Sequence, residues 1–322
     1  MRRRARAFPI RDHEGEKIES LNLLGSSHAK PDFTPPAGAC DCHVHVFEDH
    51  GRYPLAADRP YTPAEATLAD LAAVLGWLGL GRAVIVQASP QGNDHACLAD
   101  SLRAINRGGA LEARGVCVIG SRTSDAELQD LHRAGVRGAR VNLHTVGTHS
   151  ASAARESILR VAGRVAPLGW HVQTFTDLNV IAGLRGELSR LPVPIVFDHF
   201  ALARAGAGIG QPGFDVLASL LAQGKAYVKL SATYRMSGPG EEAGVQDLAR
   251  ALIDANPDRI LWGSDWPHTV GTMVPGSERL AVRPFKAVDD GAALSRLRQW
   301  TQGRAGLLDR ILVANPAALY QF

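Results

Sequence analysis

The chain carries four side chains whose types and spacing could perform hydrolytic chemistry. His43 and His45 stand two residues apart near its start, His199 ends a β-branched segment, and Asp265 lies in the motif at 262–268. Successive side chains of a β-strand point to opposite faces, so His43 and His45 would share one face. Three imidazoles with one carboxylate could bind a zinc ion that keeps an open position, or could polarise a carbonyl and activate water without a metal.

Segments with the composition of strands alternate with helical segments over most of the chain. The predicted strands cover 39–47, 82–87, 115–120, 136–143, 169–175, 193–199, 226–231 and 259–265. The predicted helices cover 68–78, 94–106, 125–134, 152–166, 178–191, 214–223 and 245–255. This alternation predicts an α/β fold, namely a (β/α)8 TIM barrel. An open doubly wound sheet is the alternative, but the turn after the first strand lacks a glycine-rich phosphate loop.

The remaining segments set the domain organisation. Residues 1–37 are polar and charged and close in two prolines, which predicts a flexible N-terminal extension, of which about the first 30 residues are expected to be dispensable. Residues 38–322 are expected to form the single barrel domain. Within it, residues 266–290 would be a long loop over the barrel mouth and residues 291–322 would be closing helices.

The C-terminal ends of the predicted strands hold most of the candidate site residues, and barrel enzymes carry their chemistry at these ends. Each residue alone has an ordinary structural interpretation: His199 could cap its strand, and Asp265 could be a helix N-cap or an ion-pair partner. Together, at the ends of strands one, six and eight, His43, His45, His199 and Asp265 predict one catalytic site.

Composition and charge indicate the class of partner. The formal net charge is +3, and apart from a cluster at 2–6 the basic residues are interspersed with acidic ones. No basic stripe or membrane-spanning run is present in the sequence, so a small molecule is expected rather than nucleic acid or a membrane. The four cysteines occur without a secretory leader, which indicates reduced thiols and a cytoplasmic setting. Cys40 and Cys42 have the strand parity opposite to the histidines, so they are expected to face the helices and not to bind metal.

Further motifs make the chain similar to a known family. They are the stretch 40–47, the segments around Tyr53 and Tyr61, the segments 124–128 and 135–140, the motif at 262–268, and the closing Asn315 and Pro316. From about Pro36 to its end, the chain resembles the lactonase-like branch of the amidohydrolase superfamily. This resemblance implies hydrolysis of a lactone, with Asp265 as the general base and His43, His45 and His199 polarising the carbonyl.

The resemblance also bears on the cofactor. Asn142 stands where two-metal amidohydrolases have a lysine at the end of strand four, and strand five ends in Phe175 without a histidine. A two-metal centre is therefore not expected. One zinc or other divalent ion, held by His43, His45, His199 and Asp265, and no metal at all are both compatible with the branch.

The substrate that the resemblance implies is a small anionic lactone, and guanidinium groups suit its carboxylates. The candidate substrate-binding residues are Tyr61, Gln87, Arg122, Arg140, Asn142, Ser231 and Arg235. Residues 200–203 depart from the branch, because they replace a turn that supplies an arginine to the dicarboxylate substrate. The particular lactone and the oligomeric state stay open.

Three other functions remain open from the sequence. The first is a metal-dependent decarboxylase of an aromatic or unsaturated acid, since that branch shares the barrel and a similar first-strand motif. The second is a lactone isomerase, which moves the ester between hydroxyls without water. The third is a barrel that binds a ligand without turnover, although the quartet of candidate catalytic residues is complete.

Overall fold

Eight parallel strands form a nearly closed barrel in the computed structural model, which describes residues 20–322. The strands of the chain are β1 (Ser20–Leu23), β2 (Ser26–Ala29), β3 (Cys40–Val44), β4 (Thr62–Pro63), β5 (Arg82–Val86), β6 (Glu112–Cys117), β7 (Val136–Asn142), β8 (His171–Phe175), β9 (Ile195–Phe197), β10 (Ala226–Leu230), β11 (Ile260–Trp262) and β12 (Val282–Arg283). The barrel consists of β3 and β5 to β11, and they neighbour one another in chain order. The predicted (β/α)8 barrel is confirmed.

Helices follow the barrel strands and cover the outside of the barrel. They are α1 (Leu68–Leu78), α2 (Ala96–Gly108), α3 (Asp125–Ala134), α4 (Ala151–Val165), α5 (Leu178–Gly183), α6 (Arg185–Leu188), α7 (Phe214–Ala222), α8 (Glu242–Ala255), α9 (Asp290–Thr301), α10 (Leu307–Asp309) and α11 (Asn315–Tyr320). Local sequence sets their ends: α1 begins at a capping box between Thr67 and Asp70 and ends at Gly79, whose φ of 76° suits glycine. Among residues 20–322, no helix has the length and apolar character needed to cross a membrane.

The barrel closes where its first strand meets the segment after its last strand. The backbone amide of Asp265 donates to the carbonyl of His43 at 3.0 Å, and the amide of His45 donates to the carbonyl of Trp266 at 2.8 Å. A parallel bridge between Val44 and Trp266 accompanies these bonds. The hydrogen bonds that close the barrel therefore also hold together the two motifs that carry the candidate catalytic residues.

A bulge in β3 changes which side chains face the barrel interior. Asp41 is paired with Ala83, whereas Val44 is paired with Ile85, so β3 advances three residues while β5 advances two. Cys42 packs in the inner core while the neighbouring His43 reaches inward to the other site residues. The expectation that Cys40 and Cys42 face the helices is therefore wrong, because simple alternation does not hold across a bulge.

The described part of the predicted N-terminal extension is ordered and packed. β1 and β2 form an antiparallel hairpin, and His28 on β2 is buried beside Asp290 at the start of α9. The Ala29 amide donates to Asp289 at 3.0 Å, and Trp77 donates to the Ala29 carbonyl at 3.1 Å. A flexible extension over all of 1–37 is therefore wrong from residue 20 onward, and residues 1–19 lie outside the described part of the chain.

Candidate active site

Three imidazole nitrogens surround one carboxylate oxygen at the C-terminal mouth of the barrel. The Nε2 atoms of His43, His45 and His199 lie 3.5, 3.6 and 3.6 Å from Oδ1 of Asp265. His43 lies on β3 and His45 directly after it, His199 follows β9, and Asp265 follows β11. All four side chains are buried. The structure thus brings together the four residues that the sequence placed at three strand ends.

The second oxygen of Asp265 is held by the segment after β10. Oδ2 accepts hydrogen bonds from the Tyr234 hydroxyl at 2.7 Å and from Nε and a terminal nitrogen of Arg235 at 3.0 and 2.7 Å. Burial alone would raise the pKa of Asp265, but the Arg235 guanidinium and the His199 imidazole hold that pKa well below its usual range. Asp265 is therefore ionised at neutral pH.

Hydrogen bonds behind the rings orient the histidines. Nδ1 of His45 lies 2.7 Å from the Val86 carbonyl, and a carbonyl can only accept, so Nδ1 carries the proton and Nε2 presents a lone pair to the site. Nδ1 of His199 lies 2.8 Å from the Ser231 hydroxyl. Burial lowers the pKa of His199 to about 4, so its ring is neutral at neutral pH.

Backbone strain accompanies these residues. Asp265 has a φ of 73°, and the turn from His199 to Leu202 has four consecutive residues with φ between 53° and 55°. Left-handed φ values are uncommon for residues other than glycine, and they persist where the surrounding structure enforces them. The departure from the family turn at 200–203 thus coincides with a strained left-handed turn that aims His199 inward.

A buried polar network lies directly beneath the site, and of its four residues the sequence analysis named only Arg140. It consists of Arg140, Gln173, Asp198 and Lys229, all of which are buried inside the barrel. Gln173 donates to Asp198 at 3.1 Å, and the Lys229 ammonium donates to Gln173 at 2.7 Å. Burial alone would raise the pKa of Asp198, but the Lys229 charge and His43 hold that pKa well below its usual range. The available signal was parity, because Lys229 shares a strand face with Ser231.

The quartet could hold a metal ion. Ligand atoms of His43, His45 and Asp265 lie within 4.8 Å of one another, and so do those of His43, Asp198 and His199. Ligands of a tetrahedral zinc with bonds of about 2.0–2.1 Å are separated by about 3.4 Å, close to the spacing around Oδ1 of Asp265. The first group fits one divalent cation. The second does not, because the Lys229 ammonium lies 3.4 Å from Asp198.

Four of the predicted substrate-binding residues lie at or beside the quartet. Tyr61 is buried near the charges of Arg140, Arg235 and Asp265. Arg140 lies 3.7 Å from Asp198, and Ser231 contacts His199. Arg235 reaches the site but is paired with Asp265, so it is not a free cation.

The other three predicted substrate-binding residues have different surroundings. The amide of Gln87 donates to two backbone carbonyls and accepts from the Val118 amide, so it braces the loops after β5 and β6. Asn142 donates to Ser89 at 2.7 Å and to Thr145 at 2.9 Å. Arg122 is exposed and does not line the cavity above the site.

A cavity of about 840 Å³ lies next to the site: Tyr234 and Arg235, which contact Asp265, line it, whereas the quartet residues themselves do not. Its lining combines the apolar Phe175 and Leu202 with the cationic Arg204, Arg235 and Lys286. The loop at 266–290 forms one wall, and the Gly271 carbonyl in this loop accepts a hydrogen bond from Thr145 at 2.9 Å. The predicted position of this loop over the mouth agrees with these contacts. A positively charged cavity of this size can admit a small anionic molecule.

Comparison with known proteins agrees with this geometry. The amidohydrolase family model matches residues 40–322. A 2-pyrone-4,6-dicarboxylate hydrolase from Comamonas testosteroni is 34% identical over 303 residues, covering 91% of this chain and 93% of the relative. A 4-sulfomuconolactone hydrolase from Rhizobium radiobacter is 32% identical over 290 residues, covering 89% and 91%. An apo crystal structure from Agrobacterium tumefaciens shares the fold, with a TM-score of 0.75, 24% identity and coverage of 91% and 98%. The chain belongs to the amidohydrolase family.

Proposed function

We propose that the protein is a lactone hydrolase that opens a carboxylated cyclic ester by attack of water. The observation that carries this proposal is the ionised Asp265, one oxygen of which faces three imidazole nitrogens at 3.5–3.6 Å at the barrel mouth. An ionised carboxylate oxygen at the barrel mouth can accept a proton from a water molecule bound beside it. The hydrolase names of both curated relatives support the same reaction class.

In the proposed reaction, the lactone carbonyl binds beside the histidines and Asp265 takes a proton from the attacking water. The water oxygen then bonds to the carbonyl carbon, and hydrogen-bond donors of the histidine cluster stabilise the negative charge on the carbonyl oxygen. The ring C–O bond breaks as the tetrahedral intermediate collapses. Asp265 returns its proton to the leaving alkoxide or enolate, so the products are one hydroxyl or enol group and one carboxylic acid, which ionises by releasing a proton to solvent.

The Arg235–Asp265 ion pair makes the transfer of the water proton to Asp265 depend on the charge of the substrate. An incoming carboxylate competes with Asp265 for the Arg235 guanidinium, which suits carboxylates through its paired donors. When Arg235 turns to the substrate, Asp265 loses a stabilising positive charge and becomes a stronger base. An anionic lactone would therefore activate its own catalytic base, which a neutral lactone would not do.

The cofactor is proposed as one divalent ion or none. His43, His45, His199 and Asp265 would hold the ion, and it would supply a Lewis acid for the lactone carbonyl. Without the ion, hydrogen-bond donors of the histidine cluster polarise the carbonyl oxygen. In either case the chain's own residues bind the substrate carboxylate and move the proton.

The substrate class follows from the cavity. The exposed Arg204 and Lys286 line it together with Arg235, so cations are available to bind a second anionic group of the substrate. Arg204 directly follows residues 200–203, which replace the family turn that supplies an arginine, so positive charge is still present near this position. We therefore propose a small lactone that bears at least one carboxylate.

A screen of carboxylated lactones in ¹⁸O-labelled water tests this function. Hydrolysis incorporates label into the new carboxylate of the ring-opened acid. Unlabelled rearranged lactone would identify an isomerase instead, and released carbon dioxide would identify a decarboxylase. Saturable binding of a lactone without any product would identify a ligand-binding barrel. Metal content is measured in parallel, since zero or one ion per chain is expected and two would contradict the proposed centre.

A further inference from the structure

Lys229 is the one cation of the polar network that touches a histidine of the quartet. Its side chain is fully buried, with 0% exposure. Its Nζ atom lies 2.7 Å from Oε1 of Gln173, 3.2 Å from Nδ1 of His43 and 3.4 Å from Oδ1 of Asp198. An ammonium group has only donors, so Gln173 and His43 accept its hydrogen bonds, and Asp198 is its ion-pair partner. The sequence resemblance assigned no role to this lysine.

The direction of the His43 contact fixes the position of the imidazole proton. Oδ1 of Asp198 lies 3.2 Å from Nδ1 of His43, yet the two atoms are not aligned for a hydrogen bond. Among the residues that the structure describes, that oxygen has no hydrogen-bond partner of good geometry. Nδ1 is aligned with Lys229 instead, and a nitrogen that accepts from an ammonium carries no proton of its own. The proton of neutral His43 is therefore on Nε2, on the side of Asp265.

His45 has the opposite arrangement, although it lies only two residues away. Its Nδ1 carries the proton, because its partner is the Val86 carbonyl at 2.7 Å. His43 thus presents an N–H to the site, while His45 presents a lone pair. One histidine is suited to donate to a carbonyl oxygen, and the other is suited to accept from water.

We propose that Lys229 is a positioning residue that holds His43 as a hydrogen-bond donor to the lactone carbonyl and so favours the metal-free form of the site. This inference rests on the proposed function for the identity of the acceptor. A metal ion needs the Nε2 lone pair of His43, so binding requires the proton to move to Nδ1, towards the Lys229 ammonium. No such conflict exists at His45.

Two measurements test the proposal, and neither uses a lactone. The first is the ¹⁵N imidazole spectrum of the chelator-treated protein, with His43 and His45 assigned from His43→Gln and His45→Gln variants. We expect the Nε2–H tautomer for His43 and the Nδ1–H tautomer for His45. A spectrum with Nδ1–H at His43 overturns the proposal.

The second measurement is the zinc dissociation constant of Lys229→Met, obtained by competition with a chromophoric chelator. Removal of the ammonium leaves Asp198 as the neighbour of Nδ1, so zinc should bind about 10- to 100-fold more tightly, the usual effect of partners of metal-ligating histidines. Lys225→Met is the matched control, since Lys225 is exposed and precedes the same strand. Equal zinc affinities of the folded Lys229→Met variant and the wild type overturn the proposal.

If Lys229→Met does not fold, the tautomer of wild-type His43 decides alone. Failure of the lactone screen would leave both readouts unchanged, so the two proposals can fail separately.

Discussion

Arg235 binds the Oδ2 atom of Asp265 through two nitrogens, at 2.7 and 3.0 Å, on the side of the carboxylate away from the three histidines. The two oxygens of Asp265 therefore have different surroundings: Oδ2 is fixed by Arg235 and Tyr234, and Oδ1 faces the site. This pairing changes the role expected for Arg235. The sequence predicted a carboxylate anchor, whereas in the structure the guanidinium already has an anionic partner that a substrate must displace.

Asp265→Asn should abolish most of the turnover while keeping the shape of the side chain. An amide cannot accept the proton of the attacking water, so kcat should fall by about 10²- to 10⁴-fold, the usual contribution of general acid–base catalysis. Asp254→Asn, in which an exposed surface aspartate is changed, is the matched control. Near-wild-type hydrolysis by a folded Asp265→Asn protein of unchanged metal content would move the base to a histidine.

Arg235→Met should change the pH dependence of the rate as well as its size. The guanidinium lowers the pKa of Asp265, so its removal raises that pKa, and the base becomes protonated at a higher pH than in the wild type. The acid limb of the kcat profile should therefore move to higher pH. We expect kcat/KM for a carboxylated lactone to fall at least about 10-fold, because a hydrogen bond to a charged group contributes about 1.5–3 kcal/mol.

The matched control for Arg235→Met is Arg103→Met, since Arg103 is a half-exposed residue of α2. Arg235 is expected both to bind the substrate carboxylate and to lower the pKa of Asp265. The neutral ester of the same lactone has no carboxylate, so the rate with this ester reports only the second role. If the acid limb of the kcat–pH profile does not move, and only the KM for the carboxylated lactone rises, Arg235 binds the substrate carboxylate and does not adjust the pKa of Asp265.

The barrel and the grouping of the candidate quartet could be predicted from the sequence because both depend on local patterns. α1 and α3 have the predicted bounds, since each begins at a capping residue and ends before a glycine in the left-handed conformation. His43, His45 and Asp265 are close together because strand ends of one barrel meet at one mouth. These features need no knowledge of contacts between distant residues.

The features that the sequence did not predict depend on such contacts. The bulge that turns Cys42 inward arises from the pairing of β3 with β5, which simple alternation cannot show. The segment predicted as one helix over 178–191 is broken at Leu184, where α5 ends and α6 begins. Asp198 directly follows β9 and Lys229 lies on the next strand, β10, and the sequence does not show that the two side chains pair inside the barrel.

The N-terminal hairpin should be required for full stability and turnover. Asp290 contacts His28 on β2 and also lies 3.1 Å from His268, which follows Asp265 by three residues. Deletion of residues 2–30 removes the buried His28 and the two partly buried hydrogen bonds of Ala29, and each lost hydrogen bond costs about 1 kcal/mol. We expect a fall in Tm of about 4 °C or more and a lower kcat.

Deletion of residues 2–19 alone is the control for the hairpin, because it leaves β1 and β2 intact. Equal Tm and kcat for the two truncated proteins would show that the hairpin is dispensable, as its polar composition suggested.

His171, at the first position of β8, should make the protein sensitive to acid. Its ring is buried against Tyr320 with a centroid separation of 5.1 Å, and among residues 20–322 neither ring nitrogen has a hydrogen-bond partner. Burial, followed by the charge of Lys229, lowers the pKa of His171 to about 3. The folded protein therefore keeps this ring neutral at a pH at which the unfolded chain, with a histidine pKa of about 6.5, takes up a proton.

The sign of the effect follows from this difference in bound protons. A depressed pKa in the folded state contributes stability that is present above pH of about 6.5 and is lost as the pH falls towards about 3. Within that window the loss approaches about 1.4 kcal/mol per pH unit for one proton. His171→Leu removes the titrating group, so the free energy of unfolding in urea should fall less steeply between pH 6 and 4 than in the wild type. His149→Leu, at a side chain that is 58% exposed, should keep the wild-type slope. A wild-type slope in His171→Leu would mean that other buried groups, such as His199, account for the acid sensitivity.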